Sequence, residues 1–285
     1  MKFLILGCNG MAGHMISLYL KEQGHNVDGF ARSRSLIIDT IIGDVRDNGL
    51  LKDTIAGGGY DAVINCIGIL NQYAENDHEA AVYLNAYLPH FLSMITGDTD
   101  TQIVQISTDC VFSGKRGGYT ETDIPDGELF YDRSKALGEL NNNKDVTLRM
   151  SIIGPDINKD GIGLINWFMQ QKGRVKGYRN AMWTGQTTLQ LAKTIENCVI
   201  RKAHGLYNMV PDEKISKYDM LVLFNKYLRK DKIEIDPEEN FRIDKSLRRT
   251  NYEGFSYMIP GYEQQIKELG DWMMEHKGLY THYDL

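Results

Sequence analysis

Residues 2–13 read KFLILGCNGMAG. The apolar run at 2–6 has the length of a buried strand and stops at Gly7, and a helical pattern over about 12–23 starts after Gly10. Gly7, Gly10 and Gly13 stand at G-x-x-G-x-x-G spacing: Gly7 suits the turn, Gly10 lets a pyrophosphate approach backbone N–H groups, and Gly13 lets helix and sheet pack closely. Met11 opens the helix, whose N-terminus directs partial positive charge at a diphosphate. Further strands are expected at 26–30, near 36–42, at 61–68 and at 101–107, with a helix over 78–96 carrying Leu84, Leu88 and Leu92 at four-residue spacing. Strand and helix alternating in this way predict an α/β fold with a Rossmann-type, doubly wound parallel sheet.

The second half is less regular. VTLRMSIIG at 146–154 reads as one strand returning to the sheet, followed by helices over 161–172, 185–203, 216–229 and 261–277, a strand around 206–210 and an edge strand over 231–236. The expected division is a dinucleotide-binding Rossmann domain over 1–155, with segments near 185–210 returning to it, and a smaller mixed α/β substrate-binding domain mainly over 156–285. The two interleave, because no linker rich in Pro, Gly or Ser separates them.

Composition narrows the function classes. The 285 residues suit one large domain or two unequal ones. Thirty-two Lys and Arg against 38 Asp and Glu, a formal charge of −6, speak against a surface that coats nucleic acid. No apolar run approaches ~18 residues, so no membrane span is expected. The opening apolar run is too short for a secretion signal, which makes the cytoplasm the default location. Cys8, Cys66, Cys110 and Cys198 form no close pair and the histidines are scattered, with His14 suited to packing or capping, so neither a disulfide framework nor a metal site is expected.

The end of the second strand selects the cofactor. It reads Phe30-Ala31-Arg32-Ser33-Arg34, where Arg32, helped by Ser33, can pair with a 2′-phosphate, so NADPH is favoured; Asp28 keeps NADH open. Asp44 in GDVRD, with Val45 beside it, lies where the loop after the third strand can meet adenine. In LFYDRSKALGE, Tyr131 and Lys135 are four apart and share a helix face. A phenol has an ordinary pKa of ~10, and a neighbouring ammonium lowers it toward the range where a proton can be exchanged with a carbonyl oxygen. Thr108, ending TQIVQIST, can hold the same oxygen.

With GCNGMAG, ISTDCVFSG at 106–114, YDRSKALGE at 131–139 and LRMSIIGPD at 148–156, the chain resembles the extended short-chain dehydrogenase/reductases, and among them the dTDP-4-dehydrorhamnose reductase group. The resemblance implies that Thr108, Tyr131 and Lys135 are catalytic, that Tyr131 and Lys135 also meet the nicotinamide ribose, and that Cys66, Ile67 and Gly68 line the dinucleotide. It places Asn85 on the supporting helix behind the site and counts it among the residues that bind the cofactor, and it lays the C-terminal part over a nucleotide diphosphate sugar. Asp109 and Cys110 then lie at the substrate. Cys110 stands where the group has tyrosine, and in epimerising relatives a cysteine here transfers protons; those relatives also use a histidine in the second half, and this chain has none between 91 and 203. Dehydratases place Asp-Glu after the threonine, and the glutamate is missing here. In QQKGRVKGYRNAMWTG the candidates for a diphosphate and a base are Arg174, Lys176, Arg179 and Trp183, the alternative for Trp183 being to fill the joint between the domains, and further on Arg248 and Arg249; Glu121 and Asp123 either order the loop before Tyr131 or belong to a solvated turn.

The resulting expectation is an NADPH-dependent reductase of a nucleotide-linked 4-keto-6-deoxy sugar serving surface polysaccharide synthesis. The alternatives are a sugar-nucleotide epimerase or epimerase/reductase, and a non-catalytic dinucleotide-binding regulatory subunit. The subunit count stays open, a homodimer being one arrangement.

Overall fold

In β1 (Lys2–Leu6), Phe3 and Ile5 enter the apolar cluster on one side of a sheet while Leu4 and Leu6 enter the cluster on the other, all fully buried. A strand covered on both faces belongs in the middle of a parallel sheet. The computed structural model, which describes all 285 residues, places it there. The elements that follow are α1 (Met11–Glu22), β2 (Asn26–Ala31), β3 (Thr40–Ile42), α2 (Asn48–Gly58), β4 (Ala62–Asn65), α3 (Asn71–Asn76), α4 (His78–Ala81), α5 (Leu88–Ile95), β5 (Gln102–Ser107) and α6 (Phe130–Leu137). Then come β6 (Val146–Arg149), β7 (Ser151–Ile153), α7 (Leu164–Met169), β8 (Arg174–Trp183), β9 (Gly185–Thr187), α8 (Thr188–Ile200), β10 (Gly205–Asn208), β11 (Ile215–Ser216), α9 (Lys217–Leu228), β12 (Glu234–Asp244) and α10 (Tyr262–Glu275).

Seven strands form one sheet in the order β10-β6-β5-β4-β1-β2-β3, with every pairing parallel. This is the doubly wound Rossmann arrangement, and the strand order reverses between β1 and β4, so their carboxyl ends frame the crevice where such folds bind ligands. Beside it lies a three-stranded sheet, β11-β8-β12, and a short pair, β7-β9. No helix is long and apolar enough to cross a membrane.

Several elements differ from the sequence reading. The stretch 146–154 is two strands, because Ser107, the last residue of β5, is the register partner of Arg149 and β5 offers nothing beyond it; the chain turns at Met150, and β7 pairs with β9 instead. The third strand covers only 40–42, since the Thr40 hydroxyl accepts from Ser35 N at 3.0 Å and the Ser35 hydroxyl from Ile37 N at 3.1 Å, which closes the preceding residues into a turn. Residues 174–183, read as a cationic stretch before a helix, are the central strand of the small sheet; Val175, Ala181 and Trp183 are buried while Arg174 and Lys176 face outward. The edge strand reaches 244 rather than 236, with a register shift between Glu238 and Arg242, and the helix expected over 161–172 is confined to α7.

The helix expected over 78–96 runs from 78 to 95, but residues 82–87 form a π-helical turn. Pro89 has no N–H to return to the Asn85 carbonyl four residues back, and the turn before it widens. Gly138, just past α6, packs on that carbonyl: a Cβ at 138 would sit 1.9 Å from Asn85 O. Gly138→Ala is therefore expected to destabilise the fold by about 1–3 kcal/mol, read as a lower urea midpoint at unchanged slope.

Candidate active site

The glycine loop joins β1 to α1 at the point where the strand order reverses. Gly7 takes φ +77°, a conformation that disfavours any side chain, and a Cβ at Gly13 would lie 2.2 Å from Gly7 O. Gly10 meets only Gly7 O, at 3.5 Å, and is exposed, so the open side of the loop lies there. It caps α1 without a side-chain hydrogen bond, and Met11 begins the helix. His14 is buried, with Nδ1 at 3.0 Å from Gly10 O and Nε2 at 3.0 Å from the Tyr280 hydroxyl; burial holds its pKa below the ordinary value, which keeps it neutral and structural.

Arg32 and Ser33 are exposed just beyond β2, and Asn9 of the glycine loop donates to Ser33 O at 2.9 Å and to its hydroxyl at 3.2 Å. This role of Asn9 had no signal in the sequence beyond its place in the loop. Asp28 is engaged elsewhere, accepting from the Tyr60 hydroxyl at 3.0 Å and lying 3.5 Å from the Lys2 ammonium. Asp44 is exposed and receives Arg46 N at 3.0 Å, while Val45 is buried. Cys66, Ile67 and Gly68 follow β4 across the crevice from the glycine loop, and a Cβ at Gly7 would lie 2.9 Å from Ile67 Cγ1. Asn85, on the π-helical turn, donates to Ile69 O at 2.9 Å and Ser134 Oγ at 3.1 Å and accepts from Ile69 N at 3.0 Å. Its amide is spent on fixing that loop to α6, with no donor left to offer a ligand.

Thr108, Tyr131 and Lys135 come together at the carboxyl ends of β5 and α6's buried face. Thr108 follows β5 and caps a single 3₁₀ turn, its hydroxyl accepting from Cys110 N at 3.1 Å, and it is the polar side chain facing the Tyr131 phenol. Tyr131 N donates to Glu75 Oε1 at 3.1 Å, so a carboxylate from α3 caps the start of α6. The Lys135 ammonium donates to Ile106 O at 2.7 Å. The expected lowering of the tyrosine pKa is not what this arrangement gives: burial pushes the Tyr131 phenol above its ordinary value, with Cys110 adding to it, and the Lys135 ammonium is directed to a backbone carbonyl. Burial also lowers Lys135 to about 8, opposed by the Glu139 carboxylate. The arrangement is a neutral phenol beside a hydroxyl and a mostly protonated ammonium, all withdrawn from water, which is a proton donor poised for an oxygen that gains negative charge.

A cleft of about 470 Å³ opens beside Thr108. Asp109 and Cys110 line it together with Ser151, and Asp109 is buried with Oδ1 accepting from Ser151 Oγ at 2.6 Å and from Thr108 Oγ1 at 3.2 Å. Burial raises the pKa of both, Cys110 to about 12, so its thiol stays protonated and is a poor base. Trp183 lines the cleft, joined by Trp167, Tyr178 and Phe241, and by Lys217 and Lys245, none of which the sequence reading singled out.

The arginine candidates are placed elsewhere. Arg174 pairs with Glu234 and Asp236, and Lys176, which does line the cleft, pairs with Glu238. Arg179 lies over the Tyr218 ring at 4.3 Å. Arg248 is exposed outside the cleft and Arg249 is buried, donating to the carbonyls of Asn251, Phe255 and Tyr257. Glu121 does order its loop, bridging Asn208 N at 3.0 Å and Thr250 N at 2.9 Å, and Asp123 receives Thr120 N at 2.7 Å.

Comparison with known proteins places the chain among relatives. A probable low-salt glycan biosynthesis reductase of Haloferax volcanii is 32% identical over 139 residues, 47% of this chain and 46% of that protein. A dTDP-4-dehydrorhamnose reductase of Mycolicibacterium smegmatis is 30% identical over 141 residues, 48% of this chain and 40% of that protein. The matches thus span about half the length of these curated relatives or less. Among solved structures, dTDP-4-dehydrorhamnose reductase of Bacillus anthracis in complex with NADP shares the fold at a TM-score of 0.78 and 20% identity, over 94% of this chain and 98% of that one. The sequence model of the RmlD substrate binding domain matches residues 1–259, and with nine-tenths of its length so covered, the chain belongs to that family.

Proposed function

We propose that the protein is an NADPH-dependent reductase of the keto group of a nucleotide-linked 4-keto-6-deoxy sugar. The observation that carries this reading is the convergence of Thr108, Tyr131 and Lys135 between the glycine loop and the aromatic, lysine-lined cleft. The reductase relatives and the NADP-bound neighbour support it.

The residues fit a phosphorylated dinucleotide, because Gly10 leaves its outer side open and β2 is followed by Arg32 and Ser33 with no carboxylate. Gly7, Gly10, Met11 and Gly13 would hold its diphosphate, Arg32 and Ser33 its 2′-phosphate, Asp44 and Val45 its adenine side. Cys66, Ile67 and Gly68 would line it, and Tyr131 with Lys135 would meet the nicotinamide ribose. When bound, NADPH supplies the hydride. Thr108 holds the carbonyl oxygen and Tyr131 gives it a proton; the Lys135 ammonium, one helix turn away, spends one N–H on Ile106 O and keeps two with which to stabilise the phenolate left behind. Residues 1–155 serve the dinucleotide in this reading, and 156–285 chiefly the sugar. The high pKa of Cys110 speaks against ring-proton exchange through a thiolate.

Nicotinamide absorbance should fall when the protein is given NADPH and a dTDP-4-keto-6-deoxyhexose, and Tyr131→Phe should slow turnover by about 10²–10⁴-fold while still binding NADPH; equal rates in both proteins would refute the assignment. The sign of the pH dependence follows from Lys135. Its lowered pKa of about 8 means the ammonium is present below that value and lost above it, so turnover should drop as pH rises through about 8. Arg32→Asp should shift preference from NADPH toward NADH, measured as the ratio of kcat/KM for the two cofactors.

A further inference from the structure

Three lysines line the cleft, but they are not equivalent. Lys176 is neutralised by Glu238 at 3.1 Å, and Lys214 nearby by Asp244 at 2.6 Å. Lys217 and Lys245 are both half-buried, and neither has a carboxylate within ion-pair distance or a side-chain hydrogen bond. Both face the carboxylate of Asp109, which is itself committed to Ser151 and Thr108, and Lys245 also faces that of Asp132, which accepts from Leu129 N. Two ammonium groups drawn partly out of water with no direct partner carry a desolvation cost that those carboxylates offset only in part, and that an anion with several oxygens would offset further.

Their placement specifies the anion further. Lys217 is the first residue of α9, a twelve-residue helix capped by the Ser216 hydroxyl, so the helix N-terminus adds positive charge at the same end of the cleft. Lys245 follows β12, and Tyr178 on β8 with Phe241 on β12 bring two rings to the same cleft at a centroid distance of 5.0 Å. Two unpaired charges beside flat apolar surface match a diphosphate that joins a sugar to a nucleoside better than a single carboxylate.

We infer that Lys217 and Lys245 receive the diphosphate of the nucleotide-linked substrate, in place of the arginines that the sequence suggests. The inference rests on the reductase reading for the identity of the sugar, but not for its test, which uses thymidine 5′-diphosphate as the probe. Calorimetric titration of the full chain should show binding that weakens with added salt. Lys217→Met and Lys245→Met should each weaken it by about tenfold or more, in line with the strength of a charged hydrogen bond, and leave NADPH affinity unchanged. Because the replaced ammonium is partly desolvated, the Lys217→Met protein should melt no lower than the wild type, so a lost signal cannot be put down to unfolding. Thymidine should bind far more weakly than the diphosphate, and glucuronate should not compete.

Unchanged diphosphate affinity in both variants overturns the inference, as does thymidine binding as tightly as its diphosphate, or glucuronate displacing it. Lysine-dependent binding of the diphosphate in a protein that reduces no keto sugar would leave the inference standing and refute the reductase reading. Turnover of the keto sugar with an unchanged KM in both variants would do the reverse.

Discussion

Glu139 lies just past α6 with its carboxylate withdrawn from water, accepting from Arg149 Nε at 2.8 Å and from a second guanidinium nitrogen at 2.5 Å, and from the Ser107 hydroxyl at 2.6 Å. One carboxylate therefore ties the end of β5, the end of β6 and the end of α6 together. Ser107 directly precedes Thr108, and Lys135 lies one turn before Glu139, so this contact sets the separation of the groups that meet at the site. The Arg149 guanidinium also lies over the Phe112 ring at 5.1 Å, which leads from the ion pair into the loop ahead of Tyr131. Buried pairs of this kind add little net stability over apolar packing, but removing one partner costs about 3–5 kcal/mol. Their effect here is to allow a single arrangement of three elements.

Burial governs the chemistry of the same region. Away from water every group is pushed toward its neutral form, so the Tyr131 phenol and the Cys110 thiol keep their protons while Lys135 holds its charge less firmly than a surface lysine. This selects direction. A phenol that stays protonated donates to an oxygen acquiring negative charge, and a protonated thiol makes a poor base toward a carbon acid. The Glu139 carboxylate opposes the loss of charge at Lys135, so the pair that fixes the geometry also supports the ammonium.

Much of the large sheet was legible because parallel strands buried on both faces carry continuous apolar runs, as at residues 3–6 and 62–64. The small sheet was not. β8 carries Lys176 and Gly177, residue types depleted in strands, amid two arginines, and its pairing with β12 sixty residues later and with β11 makes it one. The break at Met150 was hidden for a similar reason, since the run 146–154 is uniformly apolar enough for a strand and is interrupted by where β5 stops.

The strand, glycine loop and helix at the start, the alternation that builds the parallel sheet, and the tyrosine and lysine on one helix turn can all be read from the residues alone. Each is written in neighbouring residues, where backbone geometry and side-chain period act directly. Which charges are left free depends instead on how distant segments meet in the fold. Arg174 and Lys176 are neutralised by a strand far along the chain, Arg249 is buried among carbonyls, and Lys217 and Lys245 meet Asp109 from segments more than a hundred residues away. Ion pairing and desolvation depend on distance through space, and spacing along the chain does not report it.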